Sequence, residues 1–190
     1  MNEHASEIRG FPVISRKEGA MLGTVAAIYL DTAANSVAAL SYRPRRMSRD
    51  RYYVAAQSVQ IVGRDIVLIG SESDTTQITD ASVPAGQCLK ELQGSWVTTS
   101  EGKHLGALAD VDFSQKDWAI TRLILSEDRS LPVDANDIRI GDEIIVPAEY
   151  ADRLEVLHES DPGVLRRIFG TEPSEPKHTH EDETTASTHH

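Results

Sequence analysis

A short phrase occurs twice in this chain of 190 residues, and it constrains the fold more than any other feature. Residues 18–28 (EGAMLGTVAAI) return as residues 101–111 (EGKHLGALADV). Each copy has a glycine in a predicted tight turn, Gly19 or Gly102, and a second glycine in the following strand, Gly23 or Gly106. The first suits the positive φ of a hairpin turn, and the second indicates a bulge that lets a small sheet coil. Each copy therefore predicts the front of a small β-barrel.

The repeat continues beyond this phrase. Ile28 matches Val111 at a spacing of 83 residues, whereas Val54 matches Val133 at a spacing of 79. This difference predicts a four-residue insertion in the first copy, inside an arginine-rich loop. A period near 80 indicates two domains, because solenoid repeats run about 20 to 50 residues.

The predicted fold is mainly β, with two tandem small antiparallel barrels, short C-terminal helices and a disordered tail. Each barrel is expected to have its own core, and the sequence leaves open whether the two pack together or the chain forms a homodimer. The predicted boundaries are 7–70 for the first barrel, 71–86 for a linker, 87–158 for the second barrel with a C-terminal helix, 159–170 for a short helix and 171–190 for the tail.

Charge and composition narrow the classes of function. The net charge is −11, and residues 80–157 carry 7 basic against 15 acidic side chains, so nonspecific binding along nucleic acid is disfavoured. The single cysteine excludes an intrachain disulfide. There is no apolar run of the roughly 20 residues that span a membrane, and no signal peptide at the N-terminus. A cytoplasmic protein is expected.

The sharpest candidate site is the arginine-rich loop. Five of the 19 basic residues fall within nine positions: Arg43, Arg45, Arg46, Arg49 and Arg51. One interpretation is a solvated loop whose charges keep an edge strand from pairing. The other is a docking site for a phosphate backbone, an acidic protein or the acidic second barrel of another copy, since arginine binds carboxylate and phosphate bidentately.

Aromatic residues extend this candidate site. Tyr52 flanks the loop and would add base stacking if the partner were RNA. Trp118 lies in a predicted hairpin turn and is the second candidate for partner contact. Trp96 aligns with Pro12 and is expected to pack at a barrel end, which would leave Trp118 the more exposed of the two.

No metal, cofactor or catalytic residue is predicted. Asp110 and Asp112 share one strand face, which we interpret as solvated because a divalent cation needs several more oxygen ligands. His104 and His158 are interpreted as surface histidines. The histidines of the tail would chelate metal only weakly and without selectivity. The chain contains no nucleophile elbow, phosphate loop or dinucleotide fingerprint, so it is not expected to be an enzyme.

The order of the strands resembles the PRC-barrel family over about residues 7–70 and 91–147. The motifs are the G-x-x-L-G turn, a VAAL (37–40) or ITRL (120–123) strand, a YYV (52–54) or LPV (131–133) segment and a closing GDEIIV (141–146). This family includes the cytoplasmic domain of the photosynthetic reaction-centre H subunit, and the C-terminal domain of the ribosome maturation factor RimM is similar. The resemblance implies a six-stranded antiparallel barrel with a binding or assembly role and supplies no catalytic residues.

Two functions therefore remain open. The chain is either a non-catalytic adaptor or scaffold that assembles proteins, at a photosynthetic or membrane-associated complex, or an RNA- or ribosome-associated factor resembling RimM. Loss of the association on nuclease digestion would distinguish the second from the first.

Overall fold

The computed structural model describes residues 2–44 and 49–157, and residues Met1–His158 form one compact unit. The fold is mainly β with two sheets, as predicted. The predicted short helix 159–170 and tail 171–190 lie outside the described residues.

The strands of the first half are β1 (Asn2–His4), β2 (Pro12–Ser15), β3 (Ala20–Asp31), β4 (Ser36–Pro44), β5 (Tyr52–Ala55), β6 (Val59–Val62), β7 (Val67–Ile69) and β8 (Thr75–Gln77). The second half contains β9 (Gln87–Cys88), helix α1 (Leu89–Leu92), β10 (Trp96–Thr99), β11 (His104–Ser114), β12 (Ile120–Leu125), β13 (Arg129–Pro132), β14 (Arg139–Ile140), β15 (Ile144–Val146) and β16 (Glu155–Val156). Short 3₁₀ helices occupy Ala56–Ser58, Glu72–Asp74 and Ala148–Arg153.

The two sheets have the same strand order. It is β6-β7-β2-β3-β4-β5-β8 in the first and β14-β15-β10-β11-β12-β13-β16 in the second. Neighbours are antiparallel, as the repeat predicts, except that β7 runs parallel to β2 and β15 runs parallel to β10. One parallel pair in each sheet is therefore a detail that the sequence did not predict.

A β-bulge stands next to the second glycine of each repeated phrase. The β2–β3 register skips Leu22 beside Gly23, and the β10–β11 register skips Leu105 beside Gly106. A Cβ on Gly23 would lie 2.0 Å from the carbonyl oxygen of Arg43 on β4. Glycine is therefore required here because two strands approach closely, and the bulge increases the local twist of the sheet.

Strand register corrects the length of the insertion in the first copy. Leu40 pairs with Val54, and its counterpart 83 residues on, Leu123, pairs with Leu131. Val54 therefore corresponds to Leu131 at a spacing of 77, and not to Val133. The insertion is therefore six residues long (83 minus 77) and not four. The sequence pattern matched valine to valine, and this placed the counterpart of Val54 two residues too late in the second copy.

The segment that precedes each copy pairs with the sheet of the other copy. β1 pairs with β11, where His4 lies opposite Asp112, and β9 pairs with β3, where Cys88 lies opposite Tyr29. His4 and Cys88 are 84 residues apart, and Tyr29 and Asp112 are 83 apart. The two copies therefore exchange the equivalent segments that precede them, β1 and β9, which we call the leading segments.

The contacts between the β3–β4 and β11–β12 turns are reciprocal as well. Ser36 bridges to Ala119, its own counterpart 83 residues on. The amide of Val37 donates to the carbonyl of Trp118 at 2.8 Å, and the amide of Ile120 donates to the carbonyl of Asn35 at 3.0 Å. Reciprocal contacts of this kind characterise an isologous interface, so the copies are related by an approximate two-fold operation.

The buried side chains form one core cluster that contains Leu40 and Leu123 of the two sheets together with Ile8 and Leu92, which follow β1 and β9. The expectation of a separate core for each barrel is therefore wrong, because the exchanged segments carry apolar side chains across. Part of the predicted linker is ordered: β8 pairs with β5, and a capping box closes the helix Glu72–Asp74. The predicted domain boundaries themselves stay a prediction.

Candidate docking surface

The arginine-rich loop joins β4 and β5 of the first sheet. β4 and β5 pair from Ala39 opposite Ala55 to Tyr42 opposite Tyr52, so Arg43 and Arg51 directly follow and precede the last register pair of this hairpin. Arg43, Arg49 and Arg51 are exposed, while Arg45 and Arg46 lie outside the described residues. The three described arginines take part in no ion pair within the described part of the chain.

One strand-register pair and one hydrogen bond fix the ends of this loop. Arg43 lies opposite Thr24 in the β3–β4 register, and the carbonyl of Arg51 accepts a 2.8 Å hydrogen bond from the amide of Ile78. The first sheet therefore holds the backbone at Arg43 and at Arg51, which lowers the entropy lost when a partner docks at these two residues.

The tyrosines beneath the loop support it. Tyr42 is only 4% exposed, its ring stacks on that of Tyr52 at 5.7 Å, and Tyr52 and Tyr53 are half-buried. Burial raises the pKa of the Tyr42 hydroxyl. A base could reach at most the half-buried rings, so the aromatic stacking expected for an RNA partner has little exposed surface here.

An open groove of about 430 Å³ lies beside the start of the loop, lined mainly by Ser6, Arg9, Gly10, Thr24, Ala26 and Arg43. Its first wall is the segment between β1 and β2, and its second wall is formed by β3 and β4. The amide of Gly10 donates to the carbonyl of Val25 at 2.9 Å and joins the two walls.

The two tryptophans have exchanged their expected environments. Trp96 is 49% exposed and its ring centroid lies 5.0 Å from that of His104, whereas Trp118 is half-buried and stacks on Phe113 at 5.3 Å. The expectation that Trp118 is the more exposed is wrong, because its turn meets the equivalent turn of the first copy. Partner contact by Trp118 stays a prediction, and we leave Trp118 out of the surface proposed below.

Asp110 and Asp112 hold the N-terminal segment. They are 2% and 6% exposed, so the interpretation of a solvated strand face is wrong. The Asp110 carboxylate accepts hydrogen bonds from the Ser6 amide at 3.1 and 3.2 Å and from its hydroxyl at 2.5 Å. Asp112 contacts His4 and lies 3.9 Å from Arg122. These carboxylates are buried because the N-terminal segment pairs with β11 and brings Ser6 and His4 against them.

The remaining histidines and acidic residues do not assemble into a metal site within the described residues. The Nδ1 atom of His104 lies 3.0 Å from the Thr98 hydroxyl, so this ring is held in the β10–β11 pair. His158 and the tail histidines lie outside the described residues. Nor does any helix of the described residues have the length and apolar character needed to cross a membrane.

Glu18 of the repeated phrase anchors the chain after β7. Its carboxylate accepts hydrogen bonds from the Ser15 hydroxyl, from the Ser71 hydroxyl at 2.9 Å and from the Glu72 amide at 3.1 Å. These bonds, led by that from Ser15, lower the pKa of Glu18 to about 2. Among the described residues, the counterpart Glu101 makes none of these hydrogen bonds, so the contact belongs to the first copy alone.

Residues 2–10 belong to the repeat, although the sequence pattern predicted a first domain that begins at residue 7. Ile8 and Gly10 recur as Leu92 and Gly94 at a spacing of 84. Comparing the spacing before each copy would have revealed these segments as part of the repeat.

Comparison with known proteins supports the resemblance. The family model of the PRC-barrel domain matches residues 1–74, so the predicted PRC-barrel identity is confirmed for this part of the chain. The match includes the N-terminal segment, in agreement with its place in the fold. No curated protein matches the chain.

Proposed function

We propose that this chain is a non-catalytic binding module that docks an anionic protein partner through the arginine segment 43–51. The observation that carries the proposal is the exposure of Arg43, Arg49 and Arg51 on a paired hairpin, with no acidic partner for these arginines among the described residues. A solvated loop alone would not need five arginines in a chain whose net charge is −11.

The segment is suited to carboxylates. Arginine presents a planar fork that binds carboxylate bidentately, and a cluster of such groups steers an acidic surface towards the loop. The insertion exists in only one of the two copies, so this surface is an addition to the barrel and not a requirement of its fold. An adaptor or scaffold follows if the partner belongs to a larger complex, and the photosynthetic or membrane-associated setting is part of this proposal.

The test is partner capture from nuclease-treated lysate across a salt titration, with Arg49→Ser/Arg51→Ser compared with the parent. Exposed charges contribute little to stability, so we expect the unfolding free energy to change by no more than about 0.5 kcal/mol. Capture should weaken, and the parent's capture should fall as salt rises. The matched control is Arg64→Ser/Lys103→Ser, which removes two exposed charges elsewhere and should retain the partner.

The outcomes separate the proposal from its competitors. Retention of the partner by Arg49→Ser/Arg51→Ser, with the fold intact, would refute docking through this segment. Loss of all capture on nuclease treatment of the parent would favour the RNA-associated alternative.

A further inference from the structure

We infer that the groove between the N-terminal segment and the β3–β4 pair is a binding site for a phosphate monoester group carried by a small molecule or a lipid headgroup. The inference goes beyond the proposed function, because one of its two cations, Arg9, lies outside the arginine segment 43–51.

The first argument is charge. Arg9 and Arg43 face one groove from opposite walls, both are exposed, and no carboxylate is among the described residues that line it. Neither arginine makes an ion pair within the described part of the chain. Two guanidinium groups at one groove, without an ion pair among the described residues, favour an anion there even in a chain with net charge −11.

The second argument is the set of available donors. The Thr24 side chain is exposed beside Arg43, so its hydroxyl joins the two guanidinium groups as a donor. The Ser6 hydroxyl is already committed to Asp110, and it positions the wall instead of binding the ligand. Two planar forks and one hydroxyl match the three terminal oxygens of a phosphate monoester, which arginine binds with charge-assisted bonds.

The third argument is size and lining. The groove is open, and at about 430 Å³ it falls in the size range of small-molecule sites, so the rest of the ligand projects from it. No aromatic ring is among its described lining residues, and therefore it offers no stacking surface for a nucleobase. A phosphorylated sugar or glycerol fits this chemistry better than a nucleotide.

The second copy shows that the fold does not require these side chains. Its equivalent bond, from the Gly94 amide to the Leu108 carbonyl at 2.8 Å, fixes the correspondence. The counterparts of Arg9, Thr24 and Arg43 are Gln93, Ala107 and Ser126, and Lys90 stands in place of Ser6. The second copy therefore forms the same backbone with Lys90 as its one cation at these positions and without either arginine. Arg9 and Arg43 are thus not required by the fold that the two copies share.

The test uses glycerol 3-phosphate as the probe on the full-length protein at constant ionic strength, followed by amide chemical shifts. We expect saturable shifts at Thr24 and Ala26. The variant Arg9→Gln, which installs the residue of the second copy, should weaken binding about tenfold or more because a charge-assisted contact is lost. The variant Thr24→Ala should weaken it severalfold, and both should keep the spectrum of the folded protein.

Controls separate this site from the docking segment. The variant Arg49→Ser/Arg51→Ser should bind glycerol 3-phosphate within about twofold of the parent, since both arginines lie outside the groove lining. Failure of the docking test therefore does not contradict phosphate binding in the groove. Failure of the phosphate test likewise does not contradict docking through the arginine segment. Vesicles of phosphatidic acid form a second arm, and binding to them without binding of the free ester assigns the phosphate to a lipid headgroup.

Three results would overturn the inference. These are binding by Arg9→Gln at the parent's affinity, equal shifts around Ala107 in the second copy, or no binding of either the free ester or the vesicles.

Discussion

Removal of the Asp110 carboxylate tests whether the exchanged segments make the two sheets one cooperative unit. In Asp110→Ala the Ser6 amide and hydroxyl lose a charged acceptor at 2.5–3.2 Å, in a place that is 2% exposed. Hydrogen bonds to charged groups contribute about 1.5–3 kcal/mol each, and the variant also avoids the cost of burying a carboxylate. We therefore expect a loss of about 3 kcal/mol, a large fraction of a typical stability of 5–15 kcal/mol.

A double-mutant cycle isolates this contact. The variant Ser6→Ala removes only the hydroxyl and should cost about 1–2 kcal/mol, and the double variant should cost less than the sum of the two by about 1 kcal/mol or more. Asp142→Ala is the matched control, because this carboxylate is exposed, and its change should stay within about 0.5 kcal/mol.

The assay is denaturant unfolding followed by tryptophan fluorescence, which reports on the second copy, and by far-ultraviolet circular dichroism, which reports on both sheets. We expect one transition that moves equally by both probes. A shift below about 1 kcal/mol in Asp110→Ala would refute the energetic argument. Two separate transitions, with only the fluorescence transition displaced, would refute the single cooperative unit.

Three further outcomes follow from individual residues. Hydrogen bonds lower the folded-state pKa of Glu18 from 4.5 to about 2, so its stabilising effect is complete above pH 4.5 and lost as pH falls towards 2. Glu18→Gln should therefore flatten the acid limb of a stability–pH curve, and an unchanged acid limb would contradict this. Gly23→Ala should lower the free energy of unfolding by about 3 kcal/mol, measured by thermal unfolding, because its Cβ would clash with the backbone of β4. Gly19→Ala, at φ 61° with open space around it, should lower it by only about 1–2 kcal/mol, and equal losses would contradict this. Asn35→Ala should cost about 1–3 kcal/mol in denaturant unfolding, because its buried side-chain amide donates at 2.7 and 3.0 Å to two carbonyls of the second copy; a neutral effect would contradict the proposed junction.

The candidate site was only partly predictable. Clustering of the arginines is visible in the sequence, and so is their absence from the second copy. Arg9 lies 34 positions before Arg43, and nothing in either local pattern indicates that they face one groove. Their proximity depends on the path of the N-terminal segment, which leaves β11 at His4 and reaches β3 at Gly10.

The sequence by itself determined the repeated strands, the bulges beside Gly23 and Gly106, and the mainly β class of the fold. These features follow from local rules, since alternation, glycine placement and turn residues act over a few positions. Similarity at a spacing near 80 then identified two copies and the PRC-barrel resemblance.

Only the tertiary structure decided which copy each leading segment joins. Pairing of β1 with β3 or with β11 would use the same short strand, and strand alternation cannot distinguish the two. Asp110 and Asp112 favour β11, because the Ser6 donors and the His4 ring that these carboxylates contact come from the other copy, whereas β3 has no carboxylate at the equivalent positions, Ala27 and Tyr29. Buried polar groups are costly without partners, so this long-range contact, which no local pattern encodes, fixes the exchange and with it the position of the groove.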